Sequence, residues 1–146
     1  MRQVNLAIAS LTHAHVRKYY QTLHDNNKIN WVAVSCATDE VEKNFRDYGY
    51  DVPIYRSTEQ MLIEHPEIDG VMITSATTLH EQYMIAAAKA GKAIFTEKVL
   101  ATTNESADRI AAAVKEAKVP FCISAIFTYS SRLAVLFTVP PSTLRT

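Results

Sequence analysis

A chain of 146 residues with 48% hydrophobic and 21% charged residues has the balance of one globular domain. Its 15 Lys and Arg offset its 15 Asp and Glu. The signs are interspersed, so there is no electrostatic footprint for nucleic acid or for an acidic membrane surface. Two cysteines without CxxC spacing, Cys36 and Cys122, an N-terminus without a small-residue cleavage site, and no apolar run of ~18–20 residues point to a soluble, cytoplasmic protein with reduced thiols.

The elements alternate along the chain. VNLAIAS (4–10) is an apolar strand with little alternation, as expected when both faces are covered. Residues 15–24 follow as a helix, NWVAVSC (30–36) as a second buried strand, and 39–49 as a helix stopped by Gly49. VPIY (52–55) is a short strand, and Ser57-Thr-Glu-Gln60 is a capping box for a helix ending near Glu64. IDGVMIT (68–74) is a strand, and Thr78-Leu-His-Glu81 fits a capping box for a helix that runs to Ala90 before Gly91. KAIFT (92–96) is a strand, Thr102-Thr-Asn-Glu105 caps a long helix, and a last strand lies within 119–127. Such alternation predicts βαβ units, hence an α/β fold with a doubly wound parallel sheet over residues 1–127. Residues 128–146, with Pro140-Pro141 and no period after Phe137, read as an irregular tail.

Doubly wound sheets bind ligands beyond the carboxyl ends of their strands, so the residues just after each strand are the candidates. After the first strand, SLTHAH (10–15) stands where a dinucleotide fold usually carries G-x-G-x-x-G, and all three glycines are absent. Ser10, Thr12 and His13 could still offer donors to a phosphate at the helix N-terminus. The alternative is an ordinary polar turn with Thr12 as helix cap. The second strand ends at Cys36-Ala37-Thr38, without the acidic residue that accepts ribose hydroxyls, and Asp39 reads as the next helix cap. NADP is then permitted as well as NAD, although the nearest cations, Lys43 and Arg46, lie one to two turns down the helix. Cys36 as a small core residue is the alternative.

The fourth strand ends in a hydroxyl cluster of Thr74, Ser75, Thr77 and Thr78, with His80 in the first helical turn, a place where a lone His is ordinarily solvated or locally bonded. The fifth ends in Glu97-Lys98. There a Lys can hold a ribose hydroxyl or polarise a substrate oxygen, against the alternative of a surface ion pair worth ~0–1 kcal/mol. His13-x-His15 could ligate a metal, but no Cys, Asp or Glu cluster accompanies it in the sequence, and no metal is expected. There is no G-x-S-x-G elbow, Walker loop or HExxH.

The HAH turn, EIDGVMITSATTLHEQYMIAAAKAGKAIFTEKVLA (67–101), TTNESADRIAAAVKEA and VPFCIS occur in one order. Together they resemble the N-terminal domain of the Gfo/Idh/MocA oxidoreductases, the glucose-fructose oxidoreductase and inositol dehydrogenase family. Asp69, His80, Ala87, Gly91, Lys92, Glu97, Lys98, Leu100 and Ala101 fall in register with the family's pattern. Ala76 and Val99 stand at its two prolines, and Val99 leaves the backbone after Lys98 less fixed.

The resemblance implies a Rossmann domain that binds NAD or NADP and takes part in hydride transfer at a sugar or cyclitol carbon. It gives Lys98 the catalytic role, with contacts to nicotinamide ribose and substrate, and sets Glu97 near the nicotinamide. Thr74, Ser75, Ala76, Thr77 and His80 would line the nicotinamide side. Ser10, Leu11, Thr12 and His13 would meet the pyrophosphate, and Cys36, Ala37 and Thr38 the adenosine ribose. The family's second α/β domain, with its Arg-rich lead-in, has no counterpart in this sequence, so a truncated or frameshifted product is expected, with weak or no turnover alone. The alternative is a non-catalytic dinucleotide-sensing or interaction module. Either reading expects a homo-oligomer.

Overall fold

The computed structural model describes residues 2–47, 49 and 51–124. Among the described residues six strands form one parallel sheet: β1 (Val4–Ala9), β2 (Ile29–Ser35), β3 (Ile54–Tyr55), β4 (Gly70–Ile73), β5 (Ala93–Thr96) and β6 (Phe121–Ile123). Their order is β3-β2-β1-β4-β5-β6, so the winding reverses between β1 and β4. That reversal opens a crevice at the carboxyl end of the sheet.

The strands are apolar because both faces are covered. Ala7 and Ala9 of β1, with Val71 and Ile73 of β4, pack with Met61, Leu62, Met84, Ala87, Ala88 and Ile110. Those partners come from α3 (Thr58–Glu64), α4 (His80–Lys89) and α5 (Asn104–Ala117). Ile8 and Met72, the alternate residues of the same strands, face Val16 and Tyr20 of α1 (Val16–His24) and Phe45 of α2 (Asp39–Asp47). The period-2 alternation of each strand thus feeds two cores, and the doubly wound expectation holds. The former expectation for residues 125–146, including the end of the last strand and the irregular tail, lies outside the described residues.

Helix starts depart from the sequence reading where two polar residues compete for one role. Ser57 caps α3 by accepting from the Gln60 backbone N–H at 3.2 Å, but Gln60 completes no box, because its amide donates to Glu64 one turn on. Thr103, not Thr102, caps α5, accepting from Ser106 N–H. The proposed box over 78–81 does not form. Thr77–Leu79 make a 3-10 turn, Leu79 precedes α4 without a side-chain cap, and Glu81 is drawn to another helix. Gly49 and Gly91 end their segments at φ +82° and +71°, the left-handed region in which glycine avoids a Cβ clash.

Arg109 of α5 grips both carboxylate oxygens of Glu81 on α4, Nη2 to Oε2 at 2.9 Å. That grip, with a hydrogen bond from Ser106, lowers the Glu81 pKa from 4.5 to about 2. A carboxylate whose pKa falls on folding contributes stability above its unfolded value and loses it as pH falls through its folded value. Glu81→Gln is therefore expected to lower stability near neutrality and to flatten the loss of stability between pH 4.5 and about 2. Urea melts at a series of acid pH values read this, and an unchanged slope in the variant would dismiss the linkage.

Candidate functional site

The first βα turn sits at the reversal point. Ser10 follows β1 with φ +68°, the backbone that the first glycine of a dinucleotide turn would serve. The turn holds this shape through neighbours on both sides. Ser10 N–H donates to Ser35 O at 3.0 Å, Thr74 Oγ1 donates to Ser10 O, and His13 N–H donates to Thr74 O at 3.0 Å. Ser10 and Leu11 are buried, while Thr12 is exposed and His13 half-buried. Thr12 does not cap α1: its hydroxyl lies 3.1 Å from Ser10 Oγ. His15 precedes the helix without a side-chain cap, and the first turn of α1 carries no acidic residue. The start of the helix, with its free amide groups and the positive end of the helix dipole, therefore meets no acidic side chain from the helix's own first turn. A groove of about 480 Å³ runs from Leu11, Thr12 and His13 to Val41 and Phe45.

At the tip of β2, Cys36 is buried in the α1–α2 core, and its thiol donates to Thr38 O at 3.1 Å. Ala37 and Thr38 are exposed. Asp39 is not the cap expected of it. It is the first residue of α2, and Thr38 Oγ1 accepts from Val41 N–H at 3.4 Å. Asp39 instead binds Arg56, which follows β3. The Arg56 guanidinium also donates to Glu42 Oε2 at 2.7 Å and to Cys36 O at 3.3 Å. The cation nearest this tip is thus Arg56, which the sequence reading missed. Adjacency of β2 and β3 is the signal that would have found it.

Thr74 and Ser75 are buried after β4, Ala76 and Thr78 are exposed, and Thr77 is half-buried. Thr74 holds the first turn, and Ser75 Oγ donates to Ala76 O. His80 is neither solvated nor at the helix surface. It is fully buried, with Nε2 3.3 Å from Ser75 O and Nδ1 3.3 Å from Leu100 O. The ring joins the loop after β4 to the loop after β5.

Glu97 and Lys98 part company after β5. Lys98 is exposed, and the surface ion pair between the two side chains does not form. Glu97 is 0% exposed. Its Oε1 accepts from Tyr19 OH and lies 3.0 Å from His15 Nδ1, while Oε2 accepts from Lys98 N–H at 3.2 Å. Ser124 Oγ lies 3.1 Å from the same Tyr19 hydroxyl. The Lys98–Val99 peptide is cis. Burial, the largest influence on Glu97, opposes its charge. Hydrogen bonds from Tyr19 and His15, the charge of His13 and the Lys98 N–H together outweigh it and hold the pKa below the ordinary carboxylate value. Burial also leads in lowering the His13 pKa. Glu97 pulls the other way, and His15, Lys98 and His80 add to the lowering.

The fold therefore sorts the candidate residues into two sets. Ser10, Leu11, Cys36, Thr74, Ser75, His80 and Glu97 are buried and shape the crevice, whereas Thr12, His13, Ala37, Thr38, Ala76, Thr77 and Lys98 have surface that a ligand could touch. Sequence reasoning missed Tyr19, and it missed His15 as a partner of Glu97. Their i, i+4 spacing on one face of a helix entrance was the available signal.

Residues 6–124 match the model of an oxidoreductase family with an NAD-binding Rossmann fold, GFO_IDH_MocA. The inositol 2-dehydrogenase of Agrobacterium fabrum is 38% identical over 96 residues, which is 66% of this chain and 28% of that enzyme. The inositol 2-dehydrogenase of Acidiphilium cryptum is 37% identical over 97 residues, again 28% of its length. The matched region thus spans under a third of these relatives. Among solved structures, myo-inositol 2-dehydrogenase from Lactobacillus plantarum aligns with a TM-score of 0.76 at 22% identity, over 91% of this chain and 40% of that one. The WlbA dehydrogenase from Bordetella pertussis, in complex with NADH and UDP-GlcNAcA, aligns at 0.76 and 18% identity, over 84% and 36%.

Proposed function

The chain belongs to the Gfo/Idh/MocA oxidoreductases with their NAD-binding Rossmann fold, and on that premise we propose that it is the NAD(P)-binding part of an enzyme that oxidises a sugar or cyclitol hydroxyl. The observation that carries the reading is an uncapped helix N-terminus at the reversal point, to which the loop after β5, with its exposed Lys98, is tied by the contact of Glu97 with His15. The residues present fit a dinucleotide. The left-handed Ser10 keeps the turn open, and the first turn of α1 brings no acidic side chain against a pyrophosphate.

In this proposal Ser10, Leu11, Thr12 and His13 cradle the pyrophosphate, and Cys36, Ala37 and Thr38 border the adenosine ribose. Thr74, Ser75, Ala76, Thr77 and His80 shape the nicotinamide side. The bound dinucleotide supplies the hydride acceptor at its nicotinamide C4. Lys98 is the catalytic residue: its side-chain nitrogen orients the ribose and a substrate oxygen and, as the uncharged amine, takes up the hydroxyl proton as the hydride leaves. Glu97 supports it from beneath through the Lys98 N–H. A cytoplasmic location and assembly of identical copies complete the proposal.

A fluorescence titration of the chain with NADH and NADPH tests it, alongside Lys98→Ala. Saturable binding that weakens about tenfold in the variant, roughly 1.4 kcal/mol, is the expected result. No binding of either dinucleotide up to ~1 mM, about 4 kcal/mol, would mean that the lost glycines outweigh the rest of the turn.

A further inference from the structure

We propose that His13, His15 and Glu97 form a binding site for a first-row divalent transition cation such as zinc. One ligand atom from each lies within 4.8 Å of the other two. The sequence offered the two imidazoles but no carboxylate. The fold supplies it from the loop that follows β5, a strand that β4 separates from β1 in the sheet.

The donor set is the first reason. Two imidazoles and one carboxylate suit zinc and its neighbours in the first transition row. Bond lengths near 2.0–2.1 Å would ask the three atoms to close by roughly 1 Å, which side-chain rotation at the half-buried His13 and His15 can supply. The second reason is the carboxylate itself. Glu97 is 0% exposed, and among the described residues no Lys or Arg forms an ion pair with it. Buried charges are as a rule paired or bound to metal, and the charged partners within reach here are an imidazolium or a cation held by the imidazoles.

The supporting contacts are also in place. Tyr19 OH and Lys98 N–H fix the Glu97 carboxylate, and His15 N–H donates to His13 Nδ1 at 3.2 Å, which leaves His13 Nε2 for the metal. The His15 side chain is 44% exposed, so the remaining coordination positions face water in the crevice. Three protein ligands with an open position is the composition of zinc sites that bind a further ligand. The proposal does not rest on dinucleotide binding, and its test contains no dinucleotide.

The test is calorimetric titration of the 146-residue chain with Zn²⁺ and Co²⁺. One equivalent bound with a Kd at or below about 10 µM is expected, weakened at least about tenfold in His13→Ala and in His15→Ala. His24→Ala, His65→Ala and Cys122→Ser should bind as the parent does. The first two remove exposed His–carboxylate pairs with Asp25 and Glu67. A thiolate-to-cobalt charge-transfer band would place the metal on a cysteine and overturn the site. Should a variant misfold by circular dichroism, paramagnetic broadening by Co²⁺ in the parent decides. Broadening centred on residues 13–15 and 97 supports the site. Broadening centred elsewhere, or saturation only at millimolar metal, ends the proposal.

Discussion

Glu97→Ala is expected to cost the fold about 3 kcal/mol, because it removes a fully buried carboxylate and the acceptor of three part-buried groups. Tyr19 OH, His15 Nδ1 and the Lys98 N–H would lose their acceptor at the floor of the crevice. The space left by the side chain adds a cavity term. For a chain of this size, the loss corresponds to a fall in Tm of roughly 10 °C. Glu97→Gln should lose less, about 1–2 kcal/mol, since it keeps shape and one acceptor but not the charge. The two variants separate charge from packing.

The pH dependence gives the sign. Glu97 is held below its ordinary value of 4.5 in the folded chain. Its contribution is therefore present above that value and is lost as pH falls through the lowered folded pKa, so Glu97→Gln and the parent should converge in acid. Thermal melts at neutral and acid pH measure both effects. A Glu97→Ala melt within about 2 °C of the parent, under 1 kcal/mol, would show that water replaces the carboxylate and that the network holds nothing together.

Much of the fold was readable because burial on two sheet faces writes long apolar runs into short strands. Ile8 between Ala7 and Ala9, and Met72 between Val71 and Ile73, carry the alternation that serves both cores. Helix starts were less readable. Thr102 and Thr103 are chemically equal in sequence, and only the path out of β5 decides which one turns its hydroxyl to the Ser106 amide. The failed box at residues 78–81 has a similar cause. Arg109, 28 residues on, competes for Glu81 and outweighs a reach back to the helix end.

The site was readable as a set of strand ends but not as a network. His15 and Glu97 lie 82 residues apart, and nothing local to either announces the other. His80 illustrates the same limit. A histidine in a first helical turn looks solvated until the loops after β4 and β5 close over it and present the Ser75 and Leu100 carbonyls. Arg56 reached the β2 tip for a topological reason, the pairing of β2 with β3.

Ser10 offers the sharpest test of whether a turn without glycines keeps the shape of one that has them. At φ +68° a non-glycine residue costs about 1–2 kcal/mol. Ser10→Gly removes that cost but also the hydroxyl 3.1 Å from Thr12 Oγ1, a bond worth roughly 0.5–1.5 kcal/mol. The two nearly cancel, so Ser10→Gly is expected within about 1 kcal/mol of the parent, on the stabilising side. Ser10→Val has no such compensation. A β-branched residue is a genuine outlier in this region, and this one would sit at 5% exposure between Ser35 and Thr74. It should lose roughly 2–3 kcal/mol or force the turn out of shape. Urea denaturation of both variants reads the stability, and a dinucleotide titration reads the turn. Binding in Ser10→Gly at or above the parent's affinity, with binding lost in Ser10→Val, would tie the left-handed backbone to the ligand. Equal stability for glycine and valine would mean that the turn does not hold position 10 in that conformation, and the pyrophosphate cradle would have to be sought in the amides of α1 alone.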